Sequence, residues 1–432
     1  MKKIPDTLDV RISALHSDGF GLAETEFGKL AIAGTLAGEQ VSVQPLRRKR
    51  KFRMCKLVSI EKVSPHRVTP PCNHSSICGG CSLQHFHSTE QIRHKQDHVL
   101  SLFGELVPET LLAPLQGSTT GYRKKARLGV KFVQKQDRVL VGFREKLGGL
   151  IADIDSCKVL ADPFSEMIKP FELLVEKLSV KDAIPQIEIA AGDTSSAAVF
   201  RHLQELTHTD LSHFRDFSAS TGIDVYLQPG GPSSLIKLGE GESRLFYRMP
   251  DQNLEFAFHP LDFIQVNQDI NRKLVTLVVN LLEIGHEDSV LDLFCGIGNF
   301  TLPLAQKAAF VKGFELSGDA VERAMENSSR NRIENVSFVE VDLFQNAERL
   351  LEDFEGARKA LLDPPRSGAL AVVEALVKSK VERVVYVSCN PVSLARDAGI
   401  LCQKGSFRMI SAGVVDMFPH TAHVESVACF VR

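Results

Sequence analysis

The last 170 or so residues constrain the fold more than any other part of the chain. Five short apolar runs, at 289–294, 311–315, 336–341, 359–362 and 384–388, alternate with stretches of helical periodicity. A strand that is apolar along its whole length, rather than at every second residue, is covered on both faces. Strands of that kind separated by helices predict a parallel, doubly wound α/β sheet. In such sheets ligands bind at the carboxyl ends of the strands, so those ends are where chemistry is expected.

The first run passes directly into Phe294-Cys295-Gly296-Ile297-Gly298-Asn299-Phe300 and then a helix. Glycine in that turn lets the backbone approach a ligand and leaves helix amides free to bind it. A dinucleotide fold places a third glycine three residues after Gly298, but Thr301 stands there, which argues against NAD. Glu315 ends the second strand, where a carboxylate can accept two hydrogen bonds from a ribose diol. Asp342 ends the third, where it can accept from an adenine amine.

At 432 residues the chain is long enough for two or three domains, and its 44% apolar and 24% charged composition is that of an ordinary globular protein. Residues 1–66 alternate short apolar runs with glycine and predict a small β-barrel. A central α/β domain over 67–260 and a catalytic domain over 261–432 complete the division, with a helical part near 90–118 expected to pack on the catalytic domain. The run 274–284 is broken by Thr276, Asn280 and Glu283 and is too short to span a bilayer, so no membrane partner is expected. Asp6 and Asp9 follow Lys2 and Lys3 where an export signal needs apolar residues; a cytoplasmic monomer is the expectation.

The formal net charge of −2 conceals an asymmetry: residues 1–140 hold 22 Lys and Arg against 12 Asp and Glu, a net +10, and the remainder hold 29 against 41, a net −12. A basic amino-terminal part on an acidic remainder suits a protein that meets a polyanion with one part and does chemistry with another. Two basic runs are candidate RNA contacts: Arg47-Arg48-Lys49-Arg50-Lys51-Phe52-Arg53, and Arg123-Lys124-Lys125-Ala126-Arg127 after Tyr122.

Nine cysteines in a reduced compartment point to metal binding or catalysis rather than to disulfides. Cys72, Cys78, Cys81 and the distant Cys157, with Gly79-Gly80 inside the closest pair, can hold a [4Fe-4S] cluster. Zinc on three of them and one of His74, His85 or His87 is the alternative, and spacing does not separate the two. Cys55, Cys295, Cys402 and Cys429 read as small buried hydrophobes. Cys389 differs. It lies in Ser388-Cys389-Asn390-Pro391, just past the fifth strand, where a partly exposed thiol can act as a nucleophile.

Asp363-Pro364-Pro365-Arg366 follows the fourth strand, and Phe418-Pro419-His420-Thr421-Ala422-His423-Val424-Glu425 lies near the end of the chain. With the glycine turn, Phe263-x-Gln265-x-Asn267 and Ser-Cys-Asn-Pro, the sequence resembles the RNA uracil-5 methyltransferases over nearly its whole length. The barrel, which resembles a TRAM domain, and the cysteine set are similar to those of the family's 23S rRNA branch. The resemblance implies a Rossmann-like S-adenosylmethionine domain and methylation of carbon 5 of a specific uridine in 23S rRNA, uracil-1939. It assigns Cys389 as nucleophile toward uracil C6 and Glu425 as the base. It places Gln265, Phe294, Gly296, Asn299, Glu315, Asp342 and Asp363 around S-adenosylmethionine, with Asp363 and Gln265 also near the target base, and it favours iron–sulfur over zinc. The residues themselves leave open which uracil is modified and at how many sites. They also leave open a two-site enzyme, a cytosine-5 methyltransferase, and an RNA-binding assembly factor with an inactive domain. An adenine N6 enzyme is disfavoured, because Arg366 stands where that class has an aromatic residue.

Overall fold

The computed structural model describes residues 4–48, 51–346 and 355–432, without the side chains of Arg47 and Asn346. Lys49 and Arg50 of the first basic run, and the Arg47 side chain, lie outside the described residues. Arg48 and Lys51 are exposed.

The carboxyl-terminal part is an eight-stranded sheet in the spatial order Val336–Glu340, Phe310–Glu315, Ser289–Leu293, Lys359–Leu362, Arg383–Ser388, Glu425–Val431, Arg408–Val415 and Thr110–Leu111. The first five strands run parallel to one another, and Glu425–Val431 runs antiparallel to both of its neighbours. The strand order reverses between Ser289–Leu293 and Lys359–Leu362, which creates the crevice where ligands of doubly wound sheets bind. Helices cover both faces, as the uninterrupted apolar strands require. On one face Ile270, Leu274, Val275, Val278 and Leu282 of the helix Gln268–Leu282 are buried, and Asn267 caps that helix by accepting from the Ile270 amide at 3.4 Å.

On the other face lies a helix from far upstream. Ser88–Phe103 buries Ile92, Val99 and Phe103 with Leu394, Ala398, Met409 and Ala412, and the chain beyond it adds Thr110–Leu111 to the sheet edge, parallel to Arg408–Val415. The segment from 88 to 111 is thus built into the catalytic sheet even though residues 125–258 intervene in sequence.

Those intervening residues form a second sheet in the order Ile236–Lys237, Ile223–Gln228, Ser196–Arg201, Gln186–Ala191, Lys125–Val133 and Arg138–Gly142. The hairpin Leu245–Met249 and Leu254–Phe258 then packs with the helix Gln268–Leu282 in one core. At the amino terminus six strands, in the order Leu8–Arg11, Gln40–Arg48, Arg53–Lys62, Gly28–Ala33, Phe20–Thr25 and Ala14–Leu15, wrap a small core of Ile12, Leu30, Ile32, Val41, Val43 and Cys55. Cys55, Cys295 and Cys429 are buried and Cys402 is half-buried.

The second basic run is tied inward. Arg123 donates to the Lys125 carbonyl at 3.1 Å, Lys124 to the Gly192 carbonyl at 3.4 Å, Lys125 to the Asp262 carbonyl, and Arg127 pairs with Glu188 at 2.7 Å. Tyr122 is buried. Arg123, Lys124 and Lys125 thus give hydrogen bonds to internal carbonyls, while Arg127 stays largely exposed.

Candidate active site

The strand tips at the order reversal carry the motifs picked out in the sequence. At the first tip Phe294 has φ +72° and its amide donates to the Phe314 carbonyl at 2.9 Å; Gly296 follows at φ +54° and Gly298 at φ +86°. A side-chain residue in this region is strained, and such strain marks positions fixed by function. Glu315, at the second tip, accepts from the Gly296 amide at 3.1 Å and from the Leu316 and Ser317 amides at 2.8 and 3.0 Å. The carboxylate is thereby held against the glycine turn. Asp342, just past the third strand, accepts from the Phe344 amide at 2.9 Å, and the Phe344 ring lies 5.6 Å from that of Phe294. Asn299 is locked by a reciprocal pair with Asn271, at 2.8 and 3.0 Å, and by the Tyr247 hydroxyl at 2.9 Å. Gln265 is buried on the segment leading into the helix Gln268–Leu282, two residues from the largely exposed ring of Phe263.

The fourth and fifth tips are joined to each other. Ser388 Oγ donates to the Asn390 carbonyl at 2.9 Å and accepts from the Asn390 amide at 3.1 Å, which fixes the turn containing Cys389. Asn390 Nδ2 reaches across to the Arg366 carbonyl at 2.7 Å, and its Oδ1 caps the helix Pro391–Gly405 by accepting from Val392 at 3.2 Å. The types Ser, Asn and Pro are needed here because each supplies one bond or dihedral of the turn. Strand pairing does the rest. Ser388 lies opposite Ser426 in the antiparallel ladder, so Glu425 starts its strand at the end where Cys389 leaves its own.

Burial and neighbouring charges shift the titration of these groups. Burial, then Glu425 and Asp363, push the Cys389 thiol up to about 11, with Arg366 opposing. Burial and Asp363 raise the Glu425 carboxyl to about 8. Burial and then Asp292 raise Asp363 to about 7. Asp292, in the middle of the first strand, is itself raised to about 7 by burial, with Glu315 adding to it, although Thr301 Oγ1 donates to it at 2.6 Å. Asp363 acts on Glu425, Asp292 on Asp363 and Glu315 on Asp292, while the Arg366 guanidinium opposes the shift at Cys389 and Glu425. Sequence reasoning missed Asp292; an acid inside the apolar run Val290-Leu291-Asp292-Leu293 was the available signal. It also missed the contact of Arg366 Nη2 with His423 Nδ1 at 3.5 Å.

Away from these tips, Cys72, Cys78, Cys81 and Cys157 line one cavity together with His74 and Tyr122. Burial and the neighbouring thiols push Cys81 up to about 12, opposed by a hydrogen bond to Gln84, and raise Cys78 and Cys157. Gly80 donates its amide to Cys78 Sγ at 3.4 Å. At Gly79 an added Cβ would sit 2.8 Å from the Arg144 carbonyl oxygen, so only glycine fits the loop there. His74 is bonded to Asp155 at 2.7 Å, His87 is exposed, and His85 is buried among Arg67, Lys146 and Glu39 rather than among the thiols. Among the described residues no group of three or more His, Cys, Asp or Glu has the geometry to hold a single metal ion.

A family model described as tRNA (uracil-5-)-methyltransferase matches residues 151–432. The chain belongs to this uracil-5 methyltransferase family. It is 46% identical over its whole length, and over 98% of the relative, to a protein of Alcanivorax borkumensis named 23S rRNA (uracil(1939)-C(5))-methyltransferase RlmD. A protein of the same name from Nitrosococcus oceani is 47% identical over 97% of this chain and 95% of its own. The crystal structure of Pyrococcus abyssi tRNA (uracil-54, C5)-methyltransferase in complex with S-adenosyl-L-homocysteine superimposes with a TM-score of 0.75, at 26% identity, covering 98% of this chain and 100% of that one. The uracil-5 methyltransferase family thus accounts for the fold as a whole, the amino-terminal sheet included. No helix of the described residues is long and apolar enough to cross a membrane.

Proposed function

We propose that the protein methylates carbon 5 of a uracil in 23S rRNA, at the position corresponding to uracil 1939, with S-adenosylmethionine as methyl source, Cys389 as nucleophile and Glu425 as base. The observation that carries this reading is the placement of Cys389 beside the start of the Glu425 strand, with Asn390 bonded across to the Arg366 carbonyl and the Asp363 amide bonded to the Leu293 carbonyl at the foot of the glycine turn. Its relatives named as 23S rRNA enzymes match the full chain, which selects the RNA.

When bound, S-adenosylmethionine supplies the methyl group as part of a sulfonium cation. The buried carboxyls Asp292, Asp363 and Glu425 suit such a ligand, because a positive charge offsets the burial and the like-charge repulsion that raise them. Gly296 and Gly298 leave room for backbone approach, Glu315 accepts from the ribose, Asp342 from the adenine amine, and Phe294, Asn299, Gln265 and Asp363 line the remainder. Carbon 5 of uracil is too weak a nucleophile to be methylated unaided. Cys389 loses its thiol proton to solvent, the thiolate Sγ bonds to C6, and the electron pair displaced from the C5–C6 double bond makes C5 nucleophilic. After the methyl group has moved to C5, Glu425 accepts the C5 proton, the double bond re-forms, and the C6–S bond breaks to return the Cys389 thiolate. The uracil must leave its stack to reach Cys389, at a cost of a few kcal/mol, so an unpaired loop is the favoured substrate.

Cys389→Ala is expected to lower methylation on the order of 10⁴-fold or more while leaving S-adenosylmethionine affinity within about twofold. Methylation is measured by nucleoside mass analysis of 23S rRNA fragments, which also separates a uracil-5 from a cytosine-5 product. Normal turnover by this variant would end the covalent mechanism, and no turnover by the unmodified chain would favour an assembly factor.

Four thiols around one cavity suit a [4Fe-4S] cluster, with zinc on three of them and His74, which lines the same cavity, as the alternative that the metal content decides. Bound there, the cluster links the 72–81 loop to Cys157, and its iron offsets the crowding of buried thiols. Iron and acid-labile sulfide in brown, anaerobically purified protein, lost in Cys78→Ser, is the expected result; one equivalent of zinc in colourless protein would count against it.

A further inference from the structure

The helix Ser88–Phe103 presents two buried polar side chains that the reaction does not use. Gln91 and Lys95 lie one turn apart and so project from the same side. Lys95 is 3% exposed, and burying a lysine is costly unless it is fully partnered. Its ammonium donates to Asp416 Oδ1 at 2.7 Å and to the Phe418 carbonyl at 3.1 Å. Gln91 Oε1 accepts from the His420 amide at 3.0 Å, and its Nε2 meets His420 Nδ1 at 3.3 Å.

The same short segment is held by further contacts, and Gln91 Nε2 ties them in by donating to the Leu83 carbonyl at 3.0 Å. The Ser82 and Leu83 amides donate to the His420 carbonyl at 3.0 and 2.9 Å. Ser82 Oγ accepts from the Ala422 amide at 2.9 Å, and the Tyr122 hydroxyl donates to the Pro419 carbonyl at 3.0 Å. Residues 416–424 have no helix or strand of their own, and His420 takes a φ of +65°. They close the hairpin between Arg408–Val415 and Glu425–Val431, in which Val415 pairs with Glu425. The loop that delivers Glu425 to Cys389 is therefore shaped by side chains that lie more than three hundred residues upstream.

We infer that Gln91 and Lys95 are positioning residues for proton removal: they fix the 416–424 loop so that Glu425 points at the carbon that Cys389 has activated. The inference rests on the base role proposed for Glu425. Loosening the loop should slow the last step, proton removal and release of Cys389, more than the first. The covalent enzyme–RNA species should then accumulate.

The test uses the full-length protein and two variants. Gln91→Leu keeps a side chain of similar size. The pair Lys95→Met with Asp416→Leu removes both buried charges together, so that neither is left stranded. Each is expected to turn over about 10 to 100 times more slowly, with unchanged S-adenosylmethionine affinity and unchanged KM for RNA. A larger fraction of enzyme should run as a covalent RNA adduct on a denaturing gel, and the amides of Leu83, His420 and Ala422 should exchange faster with deuterium. Wild-type turnover by folded Gln91→Leu would overturn the inference, as would a loss carried by KM for RNA with no added adduct. Glu425→Gln run alongside separates the two readings. If it traps adduct and the other variants do not, positioning fails and the base stands; if it traps none, the base assignment fails and the inference with it.

Discussion

Two buried carboxyls facing one thiol make pH the most direct handle on this site. Glu425 is raised from 4.5 to about 8 and Asp363 from 3.8 to about 7. Between the unfolded and folded values of each group the folded chain binds the extra proton, so stability contributed by the protonated forms is full at low pH and is lost as pH rises toward 8. The ligand-free double variant Asp363→Asn with Glu425→Gln should therefore lose less stability than the natural chain between about pH 5 and about pH 8. At about 1.4 kcal/mol per pH unit for each group, the difference should be on the order of 6 kcal/mol at the upper end. Thermal unfolding across that range checks it, and parallel curves would mean that the two carboxyls titrate normally. A cation bound among them favours their ionised forms, so S-adenosylmethionine should bind more tightly as pH rises and release protons on binding. Glu425→Gln should also leave a covalent enzyme–RNA species stable to denaturation, because the C5 proton then has no acceptor.

Between elements, the pair that matters most outside the site is Glu39 with Arg67. Glu39 has no exposed side-chain surface, and Arg67 contacts it through Nε at 2.6 Å and Nη2 at 2.8 Å while also donating to the Gly34 carbonyl at 2.7 Å. Burial alone would raise the Glu39 carboxyl, but Arg67 and the Leu36 and Ser64 amides outweigh it and hold the group below its usual value. The fork pins the chain leaving the amino-terminal sheet onto that sheet. Arg67→Ala strands a buried carboxylate and should cost about 3–5 kcal/mol; the loss should be present near neutral pH and shrink as pH falls through the Glu39 value. Chemical denaturation at two pH values decides it, and an unchanged midpoint would show the fork to be dispensable. Contacts of this kind explain what the sequence hid. The strands of the catalytic sheet were legible because each is a continuous apolar run, and the Cys389 turn because Ser388, Asn390 and Pro391 are the types such a turn needs. The edge strand Thr110–Leu111 is too short to show a pattern. The Lys95–Asp416 pair spans 321 residues. Arg123 to Arg127 looked free for RNA because its carbonyl acceptors, at Gly192 and Asp262, leave no trace in composition.

At the scale of the whole molecule, the distribution of charge along the chain motivates the proposal that an amino-terminal part meets RNA while the carboxyl-terminal sheet does the chemistry. Residues 1–140 carry a net +10 and the remainder a net −12, so a polyanion is drawn to the amino-terminal sheet and its surroundings and repelled elsewhere. Arg123, Lys124 and Lys125 give hydrogen bonds to internal carbonyls, and in the run from Arg47 to Arg53 the exposed described members are Arg48 and Lys51. Arg53 is partly engaged, donating to the Leu46 carbonyl at 3.1 Å. Each phosphate contact on a single strand contributes roughly 0.7 to the slope of log affinity against log salt. Replacing Arg48 and Lys51 by alanine should therefore weaken RNA binding and flatten that slope by up to about 1.4. S-adenosylmethionine affinity should not change, because its proposed site lies at the strand tips of the eight-stranded sheet. Affinities measured for both ligands across a salt series test the division directly. An unchanged RNA slope would leave these two cations as solvated residues, and the positive field of the remaining amino-terminal lysines and arginines would have to guide the RNA.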